Sequence, residues 1–455
     1  MSQHSPVWRR IARGFGANMY GQVVVAIVQL AGVPILLHFW GVQLYGEWLI
    51  LFAIPSYLSI TDLGFSHSAG NDMTQWVARG DRTKALVVFQ SLIALVTISA
   101  IIGLLVATAV VLLLPLHSWL HLQSMTPLDA RLVLALLAAE VLVALISNVN
   151  RAGFVANSDY AMYALLYSST LLTQFVALWV IVAMGYGPVM GASAFLLVRI
   201  AAMLLSSGLL LRRHRWLAYG FKNARVSELR RLVRPSAANL AMPLAQAFSI
   251  QGMVLVVGAV LGPLAVVVFS TLRTLTRVVF GLVSGVSNAV EPEYATAYGA
   301  DQRDLLRSLY VHSLRAGLWL ALSAAVVLAL SGGWILTIWT HGKVVMDSTL
   351  FHWLLISPVI AALWFSALTT IRAANLHLHA ALLYCVSSAI SVAIAAVLLV
   401  LTGRLANAGL ALLLLDGAMT LYTLGAASRI VGIRVGPCLT LAINPFPLMR
   451  LAKWQ

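Results

Sequence analysis

The chain has 455 residues, of which 61% are hydrophobic and 9% are charged, whereas soluble domains carry about 25% charged residues. Such a composition cannot cover a water-facing surface, so it excludes a soluble enzyme or a soluble binding domain. The formal net charge of +15 does not indicate nucleic-acid binding, because the basic residues lie in the gaps between apolar runs.

Apolar runs long enough to cross a hydrocarbon core of about 30 Å recur along the whole chain. In lipid, a helix satisfies its own backbone N–H and C=O groups, so each run predicts a transmembrane helix. The first run ends at 38–40 with no small-residue cleavage site, which predicts a retained helix rather than a signal peptide. We therefore predict an all-α integral membrane protein with about twelve spans, at 16–38, 43–65, 85–114, 127–149, 160–184, 187–211, 236–260, 263–290, 309–331, 349–371, 378–402 and 405–428.

The basic residues fall into alternate gaps between these spans. If the N-terminus is cytoplasmic, the outward gaps hold only Lys343 and Arg404. This distribution follows the positive-inside rule and predicts that both termini are cytoplasmic. The gaps then assigned to the cytoplasm hold Arg79, Arg82, Lys84, Arg151, Arg303, Arg307 and Arg372, with Arg429, Arg434, Arg450 and Lys453 in the tail.

The central gap at 212–235 holds eight basic residues and divides the chain into two predicted bundles. It has two interpretations: a linker whose charge only fixes topology, or, at SELRRLVR, a short amphipathic helix capped at Ser227 that lies on anionic headgroups. The predicted domains are an N-terminal six-helix bundle at 1–211, a basic cytoplasmic linker at 212–235, a C-terminal six-helix bundle at 236–428 and a cytoplasmic tail at 429–455.

The two halves resemble each other at an offset of 221 residues. This offset maps Asn18 onto Asn239, Gly41 onto Gly262 and Arg82 onto Arg303. Because each half has an even number of spans, both halves enter the membrane in the same direction. The sequence therefore predicts a parallel repeat about a pseudo-two-fold axis along the membrane normal, with the substrate path between the halves.

Ionisable residues within the spans are the first candidates for function, because each costs roughly 2.5–3.5 kcal/mol at a helix centre. Arg273 and Arg277 are four residues apart and share one helix face. They predict a cationic patch for a phosphate or pyrophosphate, or else each is neutralised by a buried carboxylate such as Asp62 or Glu140.

Arg199 is interpreted as a cavity-lining group or as half of a structural ion pair. Glu47 and Asp62 lie near the ends of one span, where a structural role is expected, although Asp62 joins Glu140 and Asp416 as candidates for proton or ion coupling.

Polar residues recur on the first helix of each half. This pattern indicates a hydrated cavity that bonds sugar hydroxyls, or hydrogen bonds between helices. These polar residues are Asn18, Gln22 and Gln29 in the first half, and Asn239 and Gln246 in the second.

Prolines within the spans, at Pro34, Pro55, Pro243 and Pro358, predict kinks. No Walker loop, HExxH, GxSxG or dinucleotide fingerprint is present, so no catalytic residue, metal site or cofactor is predicted.

The stretches YGEWLILFAIPSYLSITDLGFSHSAGNDMTQ (45–75) and LGPLAVVVFSTLRTLTRVVFGLVSGVSNAVEPEYATAYG (261–299) resemble polysaccharide transporters of the O-antigen flippase type. That family belongs to the multidrug/oligosaccharidyl-lipid/polysaccharide exporter superfamily. The resemblance implies two six-helix bundles forming a V around a cavity that opens to one side at a time. It also implies that Arg273 and Arg277 hold a pyrophosphate. The lipid II flippase carries arginines inside its first span. In this chain the equivalent arginines end at Arg13, before the first span, which argues against lipid II as substrate.

The resemblance implies a flippase for polyprenyl-pyrophosphate-linked oligosaccharide, an O-antigen or exopolysaccharide repeat unit, in the bacterial inner membrane. The implied partners are this lipid-linked substrate, membrane lipids, and a polysaccharide polymerase with its chain-length machinery. One alternative is a cation-coupled multidrug exporter of the same superfamily, which would require an acidic cavity. Another is a membrane-embedded glycan-modifying enzyme, but the longest outward gaps, of about fifteen residues, are too short for an external domain.

Overall fold

The computed structural model describes residues 5–58, 60–113, 115–374 and 376–444, and in this part the chain is helical with no strand. Side chains at 5–12, 15, 60–63, 116, 234–235, 237–239 and 292 are outside the description. The helices are α1 (Ser5–Ala53), α2 (Ile60–Ala78), α3 (Arg82–Leu113), α4 (Leu116–Trp119), α5 (Pro127–Ala156), α6 (Tyr160–Ala183), α7 (Pro188–Arg213), α8 (Val226–Ala247), α9 (Met253–Leu261), α10 (Pro263–Gly299), α11 (Arg303–Thr340), α12 (Ser348–Ala373), α13 (Leu378–Thr402), α14 (Ala406–Val431) and α15 (Val435–Ile443).

Eleven helical stretches in the described part are long and apolar enough to cross a membrane. The first of them, Gly16–Tyr57, has 42 residues and would be about 63 Å long, roughly twice the hydrocarbon thickness. It is interrupted at Gly41, whose φ of 74° and ψ of 177° are not helical. This stretch therefore accounts for the first two predicted spans, which confirms a multi-pass membrane protein with about twelve spans.

The second predicted span, at 43–65, is not one continuous helix. It ends as an α-helix at Ala53, passes through a 3₁₀ turn at Pro55–Tyr57 and resumes as α2 at Ile60. Proline lacks the backbone N–H that an uninterrupted helix requires, which explains the break at this point. The kink predicted from Pro55 is thus confirmed.

The internal repeat extends well beyond the three residue pairs that indicated it. Helix α3 begins at Arg82 and α11 at Arg303, and α5 begins at Pro127 and α12 at Ser348. Each pair differs by 221 residues. Left-handed backbone conformations recur at the same offset, in the pairs Gly41 and Gly262, Gly80 and Asp301, and His121 and Gly342. Turns and helix starts are set by local backbone geometry, so their recurrence confirms that the two halves repeat one topology.

The chain forms two compact units. The first comprises Met1–Ala247 with Gly262–Val267, and the second comprises Phe248–Leu261 with Val268–Gln455. The first unit packs α2, α3, α5 and α7 around a core of Phe89, Leu145, Phe154 and Leu210. The second packs α10, α11, α12 and α14 around a core that includes Tyr294, Tyr310 and Ile371.

The central basic segment belongs to the first unit. The amphipathic helix predicted at SELRRLVR does not start at Ser227 and is not short, because α8 begins at Val226 and continues to Ala247. Arg231 on α8 donates to both carboxylate oxygens of Asp72 on α2, at 2.8 and 2.5 Å. Those hydrogen bonds raise the pKa of the Arg231 guanidinium above its usual range.

The start of the predicted cytoplasmic tail is folded. Helix α15 packs on α11 and α14 and buries Cys438 and Ala442. Arg315 on α11 donates from Nε and Nη2 to the Leu441 carbonyl, at 3.0 and 2.7 Å. Residues 445–455 are outside the described part.

Gly46 in α1 lies against the backbone of Pro263, so closely that an added Cβ would collide with the Pro263 carbonyl oxygen. We expect Gly46→Ala to lower stability by about 1–3 kcal/mol, the usual result of overpacking a tight contact, as a lower unfolding midpoint in detergent. Gly208→Ala is the control, because nothing lies within 4 Å of a Cβ at that helical position. Equal midpoints for the two variants would contradict the close contact.

Candidate functional site

The two span arginines of α10 lie about 15 and 21 Å along the helix from its first residue, Pro263, which is deep relative to a 30 Å core. Arg273 is partly buried, whereas Arg277 is exposed. The corresponding positions of the first half, 221 residues earlier, hold Phe52 and Ser56. The cationic pair therefore belongs to only one of the two repeats.

Neither arginine is paired with a carboxylate. Across the described residues, no acidic oxygen lies within 4 Å of either guanidinium. Of the two neutralising partners considered from the sequence, Glu140 pairs with another residue, and the Asp62 side chain is outside the description. Two like charges held four residues apart in an apolar span favour an anion between them.

Arg273 is held by a backbone carbonyl in a π-helical turn. Its Nη1 donates to the Ser249 oxygen at 2.6 Å, and its guanidinium carbon lies 5.6 Å from the centroid of the Phe269 ring. Ser249 lies in the π-helical turn Phe248–Gly252 between α8 and α9. A π-helical turn alters the i→i−4 pattern of an α-helix, and here a carbonyl of that turn accepts from the side chain.

Asp416 on α14 is a buried carboxylate of the same unit, with 7% of its surface exposed. It accepts from Ser357 Oγ at 2.5 Å and from Trp364 Nε1 at 2.9 Å, both on α12. These donors are neutral, and among the described residues Asp416 forms no ion pair, although Arg273 is close enough to interact with it electrostatically.

Tyr384 on α13 completes the site. This buried side chain is close enough to Arg273, Arg277 and Asp416 to lie within the field of their charges. Its ring packs on Trp364 with centroids 5.4 Å apart. We define the C-terminal polar cluster as Ser249, Arg273, Arg277, Tyr384 and Asp416. Sequence reasoning missed Ser249 and Tyr384, because a serine and a tyrosine in an apolar span give no signal until a neighbouring helix places charges beside them.

Arg199 of the first unit is engaged in a buried ion pair. Its Nε donates to Glu140 Oε1 at 2.6 Å, and its Nη2 donates to Gln174 Oε1 at 3.1 Å. Gln174 Nε2 also donates to Glu140 Oε1, at 2.8 Å. The structure therefore shows the ion-pair alternative for Arg199. A role for Arg199 in substrate binding, or for Glu140 in ion coupling, stays a prediction.

The predicted polar face of the first helix is exposed in the first unit. Asn18, Gln22 and Gln29 are all exposed, and Asn18 Oδ1 accepts from the Tyr160 hydroxyl of α6 at 3.0 Å. On α8, Gln246 is exposed and takes part in a polar interaction, whereas the Asn239 side chain lies outside the description. Their role in holding sugar hydroxyls stays a prediction.

Glu47 has the structural role expected of it, but by burial rather than by reaching the membrane surface. It is fully buried and accepts from three consecutive backbone N–H groups at 123–125. No group of three or more His, Cys, Asp or Glu side chains in the described chain is arranged to hold a metal ion.

No family model matches the sequence, and no curated protein matches it. Solved structures do match. An inward-facing multidrug resistance MATE family transporter of the MOP superfamily aligns with a TM-score of 0.67 at 16% identity, over 89% of this chain and 98% of that one. An outward-facing MATE transporter of the same superfamily gives 0.59 at 16% identity, over 95% and 96%.

The lipid II flippase MurJ in an inward closed conformation aligns with a TM-score of 0.70 at 11% identity, over 94% of this chain and 89% of that one. At these identities the likeness establishes fold. This multi-pass membrane protein therefore has the fold that MATE transporters and the MurJ flippase of known structure share.

Proposed function

We propose that this protein is a flippase that moves a polyprenyl-pyrophosphate-linked oligosaccharide across the bacterial inner membrane by alternating access. The fold supports a transporter, because it is shared with MATE transporters and with a lipid II flippase. The observation that carries the choice of substrate is the pair Arg273 and Arg277, in mid-span without a paired carboxylate among the described residues.

The chemistry of a pyrophosphate matches this pair. Moving an isolated phosphate into an apolar medium is strongly unfavourable unless counter-charges accompany it. A guanidinium donates two parallel hydrogen bonds to phosphate oxygens, and two guanidinium groups on one helix face offer four. The headgroup would cross beside these cations, while the polyprenyl chain stays in lipid.

The test replaces each arginine with glutamine, which keeps polar contacts but removes the charge. We expect Arg273→Gln and Arg277→Gln each to reduce flipping at least tenfold, because one charge-assisted bidentate contact contributes about 1.5–3 kcal/mol. The readouts are surface glycan in a strain that depends on this protein, and flipping of a fluorescent polyprenyl-pyrophosphate oligosaccharide in vesicles.

Arg303→Gln is the matched control, because the Arg303 side chain is 75% exposed at the start of α11 and its loss should leave flipping unchanged. Lysine at 273 or 277 keeps the charge without the bidentate geometry and should give an intermediate rate. Normal glycan and normal flipping in both glutamine variants would overturn the proposal.

A drug exporter is the second candidate, because the fold supports it equally and Asp416 is a buried carboxylate with no ion pair in the described part of the chain. Such a carboxylate suits proton exchange or binding of a cationic drug. If this candidate is correct, expression raises resistance to cationic drugs, Asp416→Asn abolishes that resistance, and the two arginine variants keep it.

A further inference from the structure

The segment from His214 to Val226 connects α7 to the first residue of α8. Hydrogen bonds hold it against the rest of the first unit. Gln90 on α3 donates to the Ala218 carbonyl at 3.1 Å and accepts from the Asn223 N–H at 2.7 Å. The neighbouring Ser91 Oγ accepts from the Arg225 N–H at 2.9 Å. Trp216 Nε1 donates to Asn157 at 3.1 Å. We call residues 214–226 the basic platform.

The outward side of the basic platform combines apolar and cationic side chains. Phe221 is 58% exposed and Val226 is 66% exposed, although the platform has a buried side that holds Leu217. Exposed Arg215, Lys222 and Arg225 alternate with them. Exposed apolar side chains that alternate with cations make this side amphipathic, which suits the boundary between water and lipid.

The charges of the platform are not neutralised by the protein. Nearby Asp159 pairs with Arg213, and Asp72 and Glu228 both pair with Arg231. Within the described chain, no ion pair involves Arg215, Lys222 or Arg225. Burial lowers the pKa of His214, which disfavours a charge on its imidazole, and the arginines and lysine supply the positive charge of the platform.

The platform also lies at the membrane boundary. It starts directly after the span Pro188–Arg213, and the next span begins at Leu240. Aromatic and aliphatic side chains beside Lys and Arg at this depth are typical of segments that lie in the headgroup layer of anionic membranes. From the fixed backbone, the exposed apolar groups and the unpaired cations, we infer that the basic platform binds anionic phospholipid headgroups of the surrounding bilayer.

This inference does not depend on the proposed transport function, since its test measures lipid binding. The full-length protein is placed in nanodiscs of phosphatidylcholine alone, or of phosphatidylcholine with phosphatidylglycerol. Phosphatidylglycerol retained after release from the nanodisc is counted by native mass spectrometry, and the unfolding midpoint is measured in both lipids. We expect the unaltered protein to retain phosphatidylglycerol several-fold over phosphatidylcholine, and to unfold at higher temperature with it.

The test variant is Lys222→Gln with Arg225→Gln, which should reduce phosphatidylglycerol retention at least threefold and remove the shift in midpoint. Lys343→Gln with Arg404→Gln is the matched control, because it removes two exposed cations from gaps predicted on the other side of the membrane. Phe221→Ser should also weaken retention with every charge in place.

The midpoint in phosphatidylcholine checks that each variant is folded. If the double glutamine variant is unstable there, Lys222→Arg with Arg225→Lys supplies the test, since it keeps both charges and should retain phosphatidylglycerol normally. Equal retention by the test and control variants would overturn the inference. So would inorganic phosphate shifting the midpoint as phosphatidylglycerol does, because the site would then bind a soluble anion.

Discussion

Replacing Glu47 with alanine is expected to destabilise the protein by about 4 kcal/mol or more, the largest effect we predict for a single substitution. Glu47 Oε1 accepts from the Gln123 and Ser124 N–H groups, both at 2.7 Å, and Oε2 accepts from the Met125 N–H at 2.9 Å. Truncation removes the shared acceptor of one buried N–H, at Met125, and of two part-buried N–H groups, at Gln123 and Ser124, and each hydrogen bond to a charged group contributes about 1.5–3 kcal/mol. Thermal unfolding in nanodiscs measures the change.

The control for Glu47 is Asp304→Asn, since the Asp304 side chain is 99% exposed and surface substitutions change stability little. Glu47→Gln should fall between the two, because its amide oxygen still accepts while its amide NH₂ faces a backbone donor. A midpoint for Glu47→Ala within 2 °C of the control would show that the 123–125 turn does not need this carboxylate.

Breaking the buried ion pair of the first unit is expected to cost about 3–5 kcal/mol from either side, because each single change leaves an uncompensated charge. The pair joins Arg199 on α7 to Glu140 on α5, with both side chains at most 15% exposed. The variants are Glu140→Met and Arg199→Met, and the measurement is again the unfolding midpoint.

The double variant, with methionine at 140 and 199, should be more stable than either single variant, because replacing both charges by apolar groups of similar volume is often nearly neutral. Gln174 would remain and lose two of its partners, so full recovery is not expected. A double variant whose loss equals the sum of the single losses would contradict direct coupling between the two charges.

Most of the architecture was predictable from the sequence. The spans and the repeat were predicted correctly, because hydrophobic length and turn residues act locally. Gly41 and Gly262 illustrate this: each takes a left-handed backbone that favours glycine. The interruption of the second span at Pro55 follows from the missing proline N–H. The short helix capped at Ser227, one of the two interpretations of the central basic gap, was wrong, because charge pattern alone does not show that a helix continues into the next span.

The candidate site was predictable only as a set of residues. Arg199, Arg273 and Arg277 all read as cations in apolar spans, but the structure pairs Arg199 with Glu140, 59 positions away, and ties Arg273 to a backbone carbonyl 24 positions away. Glu47 finds its donors 76–78 residues along the chain.

The sequence by itself therefore determined that this is a membrane protein of about twelve helices in two repeated halves, since the length of an apolar run and the turn residues that end it are properties of consecutive residues. Only the tertiary structure decided which buried charges are neutralised within the protein. Helix packing chooses those partners, and the distances between groups on different helices are not encoded in sequence spacing.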